Sequence, residues 1–196
     1  MIELFPNPRN SGNELHDCEL PASIGDLAAL EHLYLSNDAT PSSIVGAIPA
    51  ALGSLKQLKC LYLSHNNFTG PIPRELEQLA ELQVFLMRCN QLSGPLPDFS
   101  KLPKLRNVWF DTNADLTGSL TALGGLQNLT FLQASSNPGI DGDLPASLCE
   151  IECHAGGTNV SCASDLPAGC CEIADCGAAA PAPTPPPSSM GDCHPQ

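Results

Sequence analysis

Positive charge is scarce in this chain and missing from everything after Arg106. The 196 residues hold eight Lys and Arg against 21 Asp and Glu, a formal charge of −13, and no base lies beyond Arg106. Phosphate backbones and anionic bilayers are held by clustered bases, so nucleic acid and acidic lipid surfaces are excluded as partners. The acids instead suit a solvated, soluble surface. Long apolar runs are also missing, and nothing approaches the 18 consecutive residues of a membrane-spanning helix. No GxSxG elbow, phosphate loop, kinase signature or metal-binding motif is present, and Ser64 and His65, neighbours on a strand, diverge rather than form a triad. The expectation is a non-enzyme without cofactor or metal. Aromatic residues make up only 5% of the chain, so where each one falls is informative.

What is present is repetition. Leu55 to Pro73 is LKQLKCLYLSHNNFTGPIP, and Leu79 to Pro97 is LAELQVFLMRCNQLSGPLP, the same phrase 24 residues on. The polar residue closing each LxLxxN falls at Asn7, Asp38, Asn66, Asn90, Asn113 and Asn137, with steps of 31, 28, 24, 23 and 24. Units this short cannot bury an apolar face alone, so they stack into a solenoid. Ahead of the polar residue, Leu33 and Leu35, Leu61 and Leu63, Phe85 and Met87, Val108 and Phe110, and Leu132 and Ala134 alternate at period two, which predicts strands near 32–36, 60–64, 84–88, 107–111 and 131–135 with these pairs inward. An Asn at the bend can bond backbone groups that the turning chain leaves unpaired. Asp38 can accept such bonds but not donate them, which weakens the first complete coil.

A second phrase follows each Asn: NFTGPIP at Asn67 to Pro73, QLSGPLP at Gln91 to Pro97, DLTGSL at Asp115 to Leu120 and IDGDLP at Ile140 to Pro145. Gly permits a tight bend, and Pro presets φ, so Ile72 to Leu79 should begin a short helical turn. Extra residues at Ala39 to Ser43 imply a bulged loop. The segments after Pro97 and Leu120 are one residue short, which predicts tighter turns. Over residues 2 to 151 this LxGxIP pattern resembles the plant-type leucine-rich repeats of receptor-like kinase and receptor-like protein ectodomains and of polygalacturonase-inhibiting proteins. The resemblance implies a parallel β-sheet on the concave face and short 3-10 or helical turns on the convex side. The paired-cysteine N-terminal cap of that family is missing and MIELFPNPRN offers no signal peptide, which implies an upstream segment beyond this sequence.

Residues between and beside the inward pairs line the concave surface. The first column is Tyr34, Tyr62, Leu86, Trp109 and Gln133, and it gathers both Tyr and the single Trp of the chain. Beyond it lie Arg88 and Asp111, a cross-strand ion pair or a polar anchor, and Arg106 flanks the strands on the other side. Tyr, Trp and Arg dominate interface hot spots, so these positions are the candidate ligand-binding residues. Side chains in this column are expected to be exposed and dispensable for stability.

Ten cysteines are many for a reducing compartment. Cys149, Cys153, Cys162, Cys170, Cys171 and Cys176 follow the last repeat phrase and predict a disulfide-rich cap, of 15 conceivable pairings. A zinc site of Cys149, Cys153, His154 and Cys162 is the rival, and its spacing fits no common ligand pair. Cys60 and Cys89 lie near opposite strand ends and are expected to be unpaired. Sequons at Asn67, Asn128 and Asn159 agree with N-glycosylation and an extracellular or cell-wall location. The organisation is then a solenoid of roughly six repeats over 1–148, a cap over 149–176 and a Pro/Ala-rich tail over 177–196. The expected function is extracellular recognition of a protein or peptide, including a wall polysaccharide-associated protein. A secreted inhibitor or defence protein and a wall structural protein are the alternatives.

Overall fold

The computed structural model describes residues 3–4, 18–36, 44–162, 166, 170 and 171. The expectations for Asn7, Asp38, the Ala39 to Ser43 loop, Cys176 and the tail lie outside these residues. Seven strands form one parallel sheet in chain order: Glu3–Leu4, His32–Tyr34, Cys60–Tyr62, Val84–Leu86, Asn107–Trp109, Phe131–Gln133 and Glu152–His154. The five from His32–Tyr34 to Phe131–Gln133 begin where period-two alternation places them but are only three residues long. The chain then leaves the sheet through a left-handed residue at His65, Cys89, Thr112 and Ser136, with φ of 56°, 53°, 59° and 58°.

Between strands the chain passes through 3-10 turns at Ala22–Asp26, Ala50–Ser54, Arg74–Gln78, Phe99–Lys101, Leu120–Gly125 and Ala146–Glu150. Pro21, Pro49, Pro73 and Pro145 stand immediately before four of them, with φ preset and no side-chain cap. Where that Pro is absent a side chain substitutes: Asp98 accepts from the Ser100 N–H and Ser119 from that of Thr121. The Phe99–Lys101 turn is tight as expected, whereas Leu120–Gly125 is the longest of the six turns described.

Sequence reading missed a whole layer. The Gly-Pro phrases, expected only as bends, form a second parallel sheet of seven strands: Cys18–Glu19, Ile44–Ala47, Asn67–Pro71, Gln91–Pro95, Asp115–Ser119, Gly139–Asp143 and Asn159–Ser161. Gly sits inside these strands at φ of 75° in Gly70 and Gly94, a bend open to Gly at little cost. The LxGxIP phrase therefore pairs with its copies as well as turning the chain.

Leu33, Leu61, Phe85, Val108 and Leu132 are fully buried, as are Leu52, Leu76, Phe99, Phe68 and Leu116 from the turns and second sheet. Burying each such side chain contributes roughly 1.5–3 kcal/mol. At each bend an Asn completes the coil. The Asn113 amide nitrogen donates to the carbonyls of Met87, Phe110 and Asp111, and its oxygen accepts from Leu92 N. Asn66, Asn90 and Asn137 repeat the pattern, each donating to carbonyls of its own and the preceding coil and accepting from an N–H of that preceding coil.

Both sheets gain a further strand after Leu148, at Glu152–His154 and Asn159–Ser161, so the coil continues past the point where its sequence motif ends. Cys149 is bonded to Cys170 and Cys153 to Cys171, and Cys162 is also disulfide-bonded. These sulfurs are committed to disulfides rather than to a zinc site. Cys60 corrects its expectation: it is disulfide-bonded, while Cys89 and Cys18 are free thiols.

Asn113→Ala should lower the unfolding free energy by about 2–3 kcal/mol in urea titrations, because it strands several buried backbone groups at once. Thr112→Gly should raise it by about 0.5–1 kcal/mol, since a β-branched residue is strained at a left-handed φ. A loss below about 0.5 kcal/mol for the first variant would remove the Asn ladder from the account of stability.

Candidate functional site

Parallel pairing carries Tyr34 onto Tyr62, Leu86, Trp109 and Gln133 in register, so the predicted column exists as a physical row across five strands. Its exposure is not as expected. Tyr34, Tyr62, Leu86, Trp109 and Gln133 are 5–9% exposed. Strands about 4.8 Å apart bring outward side chains into mutual contact, and a concave surface closes them further. The Tyr34 and Tyr62 rings lie 4.7 Å apart and Trp109 lies 5.1 Å from Phe131. The row is a second apolar cluster, distinct from the solenoid core, and it includes Cys60, Val84 and Phe131. Burial and the neighbouring Tyr34 push the Tyr62 hydroxyl well above its ordinary pKa.

Those last three residues belong to a row the sequence reading overlooked: His32, Cys60, Val84, Asn107 and Phe131, the first residue of each strand. The signal was available. If Leu33 and Leu61 point inward, period two sends the residues on both sides outward, yet only the following one was counted.

A polar border runs beside the apolar rows. Arg88 and Asp111 form the expected ion pair, Nε to Oδ2 at 3.6 Å, and the Arg88 guanidinium lies 5.2 Å from the centre of the Trp109 ring. Asp111 is 5% exposed. Its burial raises the carboxyl above its ordinary pKa of 3.8, with Arg88 pulling the other way. Arg106 is exposed at the opposite edge of the strands. Among the described residues, four buried polar atoms lack a hydrogen-bond partner: His32 Nδ1, Ser64 Oγ, Arg88 Nε and Asp111 Oδ1. Buried groups left without a hydrogen bond are costly and uncommon.

The sequon residues Asn67, Asn128 and Asn159 are all exposed, and so are Thr69, Thr130 and Ser161 two residues on. Asn67 and Asn159 begin strands of the second sheet, away from the concave rows.

Comparison with known proteins places this geometry. The Leucine Rich Repeat family profile matches residues 57–79. The solenoid is of the leucine-rich-repeat class. A sequence comparison with curated proteins finds no match. Among solved structures, the ectodomain of the Arabidopsis receptor kinase HAESA with an extended IDA peptide hormone superposes with a TM-score of 0.68 at 32% identity, covering 81% of this chain and 26% of that one. The plant peptide hormone receptor RGFR1 in complex with RGF2 gives 0.60 at 31%, covering 74% and 22%. The Arabidopsis SOBIR1 receptor kinase ectodomain gives 0.57 at 30%, covering 63% and 65%. The chain thus spans about a quarter of the length of the first two of these receptor chains. Among the described residues, no helix of this solenoid is long and apolar enough to cross a membrane.

Trp109→Ala should cost about 3–5 kcal/mol in urea unfolding, the range for emptying an aromatic core position, while Arg74→Ala on the exposed 3-10 turn changes little. For Asp111 the folded pKa lies above the unfolded one, so the native state holds the proton more tightly. Wild-type stability therefore loses Asp111's share as pH rises above 3.8 through the raised value. The stability of Asp111→Asn relative to wild type should climb over that window and then level off. A pH-independent difference between the two would contradict a desolvated Asp111.

Proposed function

We propose that this chain is an extracellular recognition module that binds a peptide or protein along its concave sheet, without enzymatic chemistry. The carrying observation is the likeness, at 31–32% identity over 74–81% of this chain, to receptors solved with peptide hormones. Three features of the chain support it. The concave sheet presents contiguous apolar rows bordered by Arg88, Asp111 and Arg106, the residue types favoured at binding hot spots. The C-terminal disulfides suit an oxidising compartment. The exposed sequons lie where glycans at Asn67 and Asn159 would leave the concave face clear. The LxGxIP phrase and its second sheet favour assignment to the plant-type subclass.

Because Tyr62 and Trp109 are buried, their loss would unfold the floor rather than test it. The accessible border is the better probe. In a displayed library of extended peptides selected against the whole chain, Arg106→Ala and Arg88→Gln should each weaken the selected peptides about tenfold, about 1.4 kcal/mol. Arg74→Ala, on a side chain 88% exposed on the convex turn, should not. Equal losses in all three, or a loss confined to Arg74, would move the ligand off the concave face.

A further inference from the structure

We propose that Ser64, Arg88 and Asp111 form an anchor for a primary carboxamide, the side chain of an Asn or Gln in the bound peptide. This rests on the peptide-binding reading and names the group that fixes the ligand in register. The three residues occupy one position on consecutive coils, locked by the backbone bonds His65 N to Arg88 O and Cys89 N to Asp111 O, both 3.0 Å. Each carries a buried polar atom without a hydrogen bond: Ser64 Oγ, Asp111 Oδ1 and Arg88 Nε, which meets Asp111 Oδ2 only at the 3.6 Å of the ion pair. Ser64 is 3% exposed and Asp111 5%. The flanking members of the same column are satisfied, since Ser36 Oγ accepts from Ser64 N and Ser135 Oγ donates to Gln133. The unpaired groups are thus confined to three adjoining coils of this column.

Their chemistry selects the ligand. Arg88 and Asp111 neutralise one another, so a ligand carboxylate would meet the bare Oδ1 of Asp111 and an ammonium would meet the bare N–H of Arg88. A carboxamide avoids both conflicts. Its oxygen accepts from Arg88 Nε–H and has a second lone pair for the Ser64 hydroxyl, and its nitrogen donates to Asp111 Oδ1. Acceptor and donor stand on separate atoms, as the unpaired groups stand on separate coils. Contact of the guanidinium with the Trp109 ring holds Arg88 in place before the ligand arrives, which lowers the ordering cost of binding.

Trp109 is the chain's single Trp and therefore reports on this spot alone. The probes are four blocked amino acids: N-acetyl methylamides of asparagine, aspartate, serine and leucine, titrated into the full chain while the Trp109 fluorescence and indole N–H resonance are followed. The asparagine probe should bind at least about fivefold more tightly than the other three, about 1 kcal/mol. Ser64→Ala should reduce that preference and Asp111→Asn should abolish it, because an amide there no longer offers an anionic acceptor. Near-ultraviolet circular dichroism establishes that each variant is folded, and Ser64→Ala decides alone if Asp111→Asn is not. Equal response to all four probes, a stronger response to aspartate, or a preference untouched by Ser64→Ala overturns the anchor. Selected peptides that bind the concave face with no carboxamide preference reject the anchor and leave the function standing. A carboxamide preference without peptide binding rejects the function instead.

Discussion

Every feature of this protein depends on backbone groups of one coil being satisfied by the next. A single coil has a strand of three residues, a turn and a second short strand, and none of these is stable alone. Pairing in two parallel sheets ties the N–H and C=O groups of each coil to its neighbours on both sides. At the bend, where sheet pairing stops, the buried Asn takes over with one amide bridging two coils. That bend requires a left-handed residue at Cys89 and Thr112, positions Gly would fill with less strain. The Asn network holds the chain there regardless.

The same stacking that builds the core also closes the concave surface. Outward residues from neighbouring strands meet at strand spacing, so Tyr34, Tyr62, Leu86, Trp109 and Phe131 shield one another and become a second apolar layer. In the proposed recognition the floor would supply a rigid apolar base, and the border would supply direction through Arg88, Asp111 and Arg106. Salt bridges on the opposite side, Lys104 to Glu81 and Lys101 to Glu77, also step from coil to coil but sit in solvent and contribute little each.

A solenoid ends where a coil has no successor, and its last apolar edge needs cover. Here the sheets run on through Glu152–His154 and Asn159–Ser161 after the leucine pattern has lapsed. Disulfides from Cys149 to Cys170 and from Cys153 to Cys171 hold residues against the buried face of that final coil, where Cys153, Cys170 and Cys171 join the main core. Covalent links do there what Leu does in the regular repeats.

Periodicity alone determined the repeat class, the start of every concave strand from His32 to Phe131, the inward Leu pairs, the bend Asn and the column that joins Tyr34 to Gln133, because each is a local rule applied at a fixed spacing. The Arg88–Asp111 pair was legible for the same reason: coil spacing converts a step of 23 residues into adjacency. Only the tertiary structure decided that the Gly-Pro phrases pair as a second sheet, that Cys60 is disulfide-bonded, which cysteines of the cap join, and that the aromatic column is buried. These depend on how closely separate coils approach and curve. Spacing along the chain records which residues meet, but not how much water is left between them.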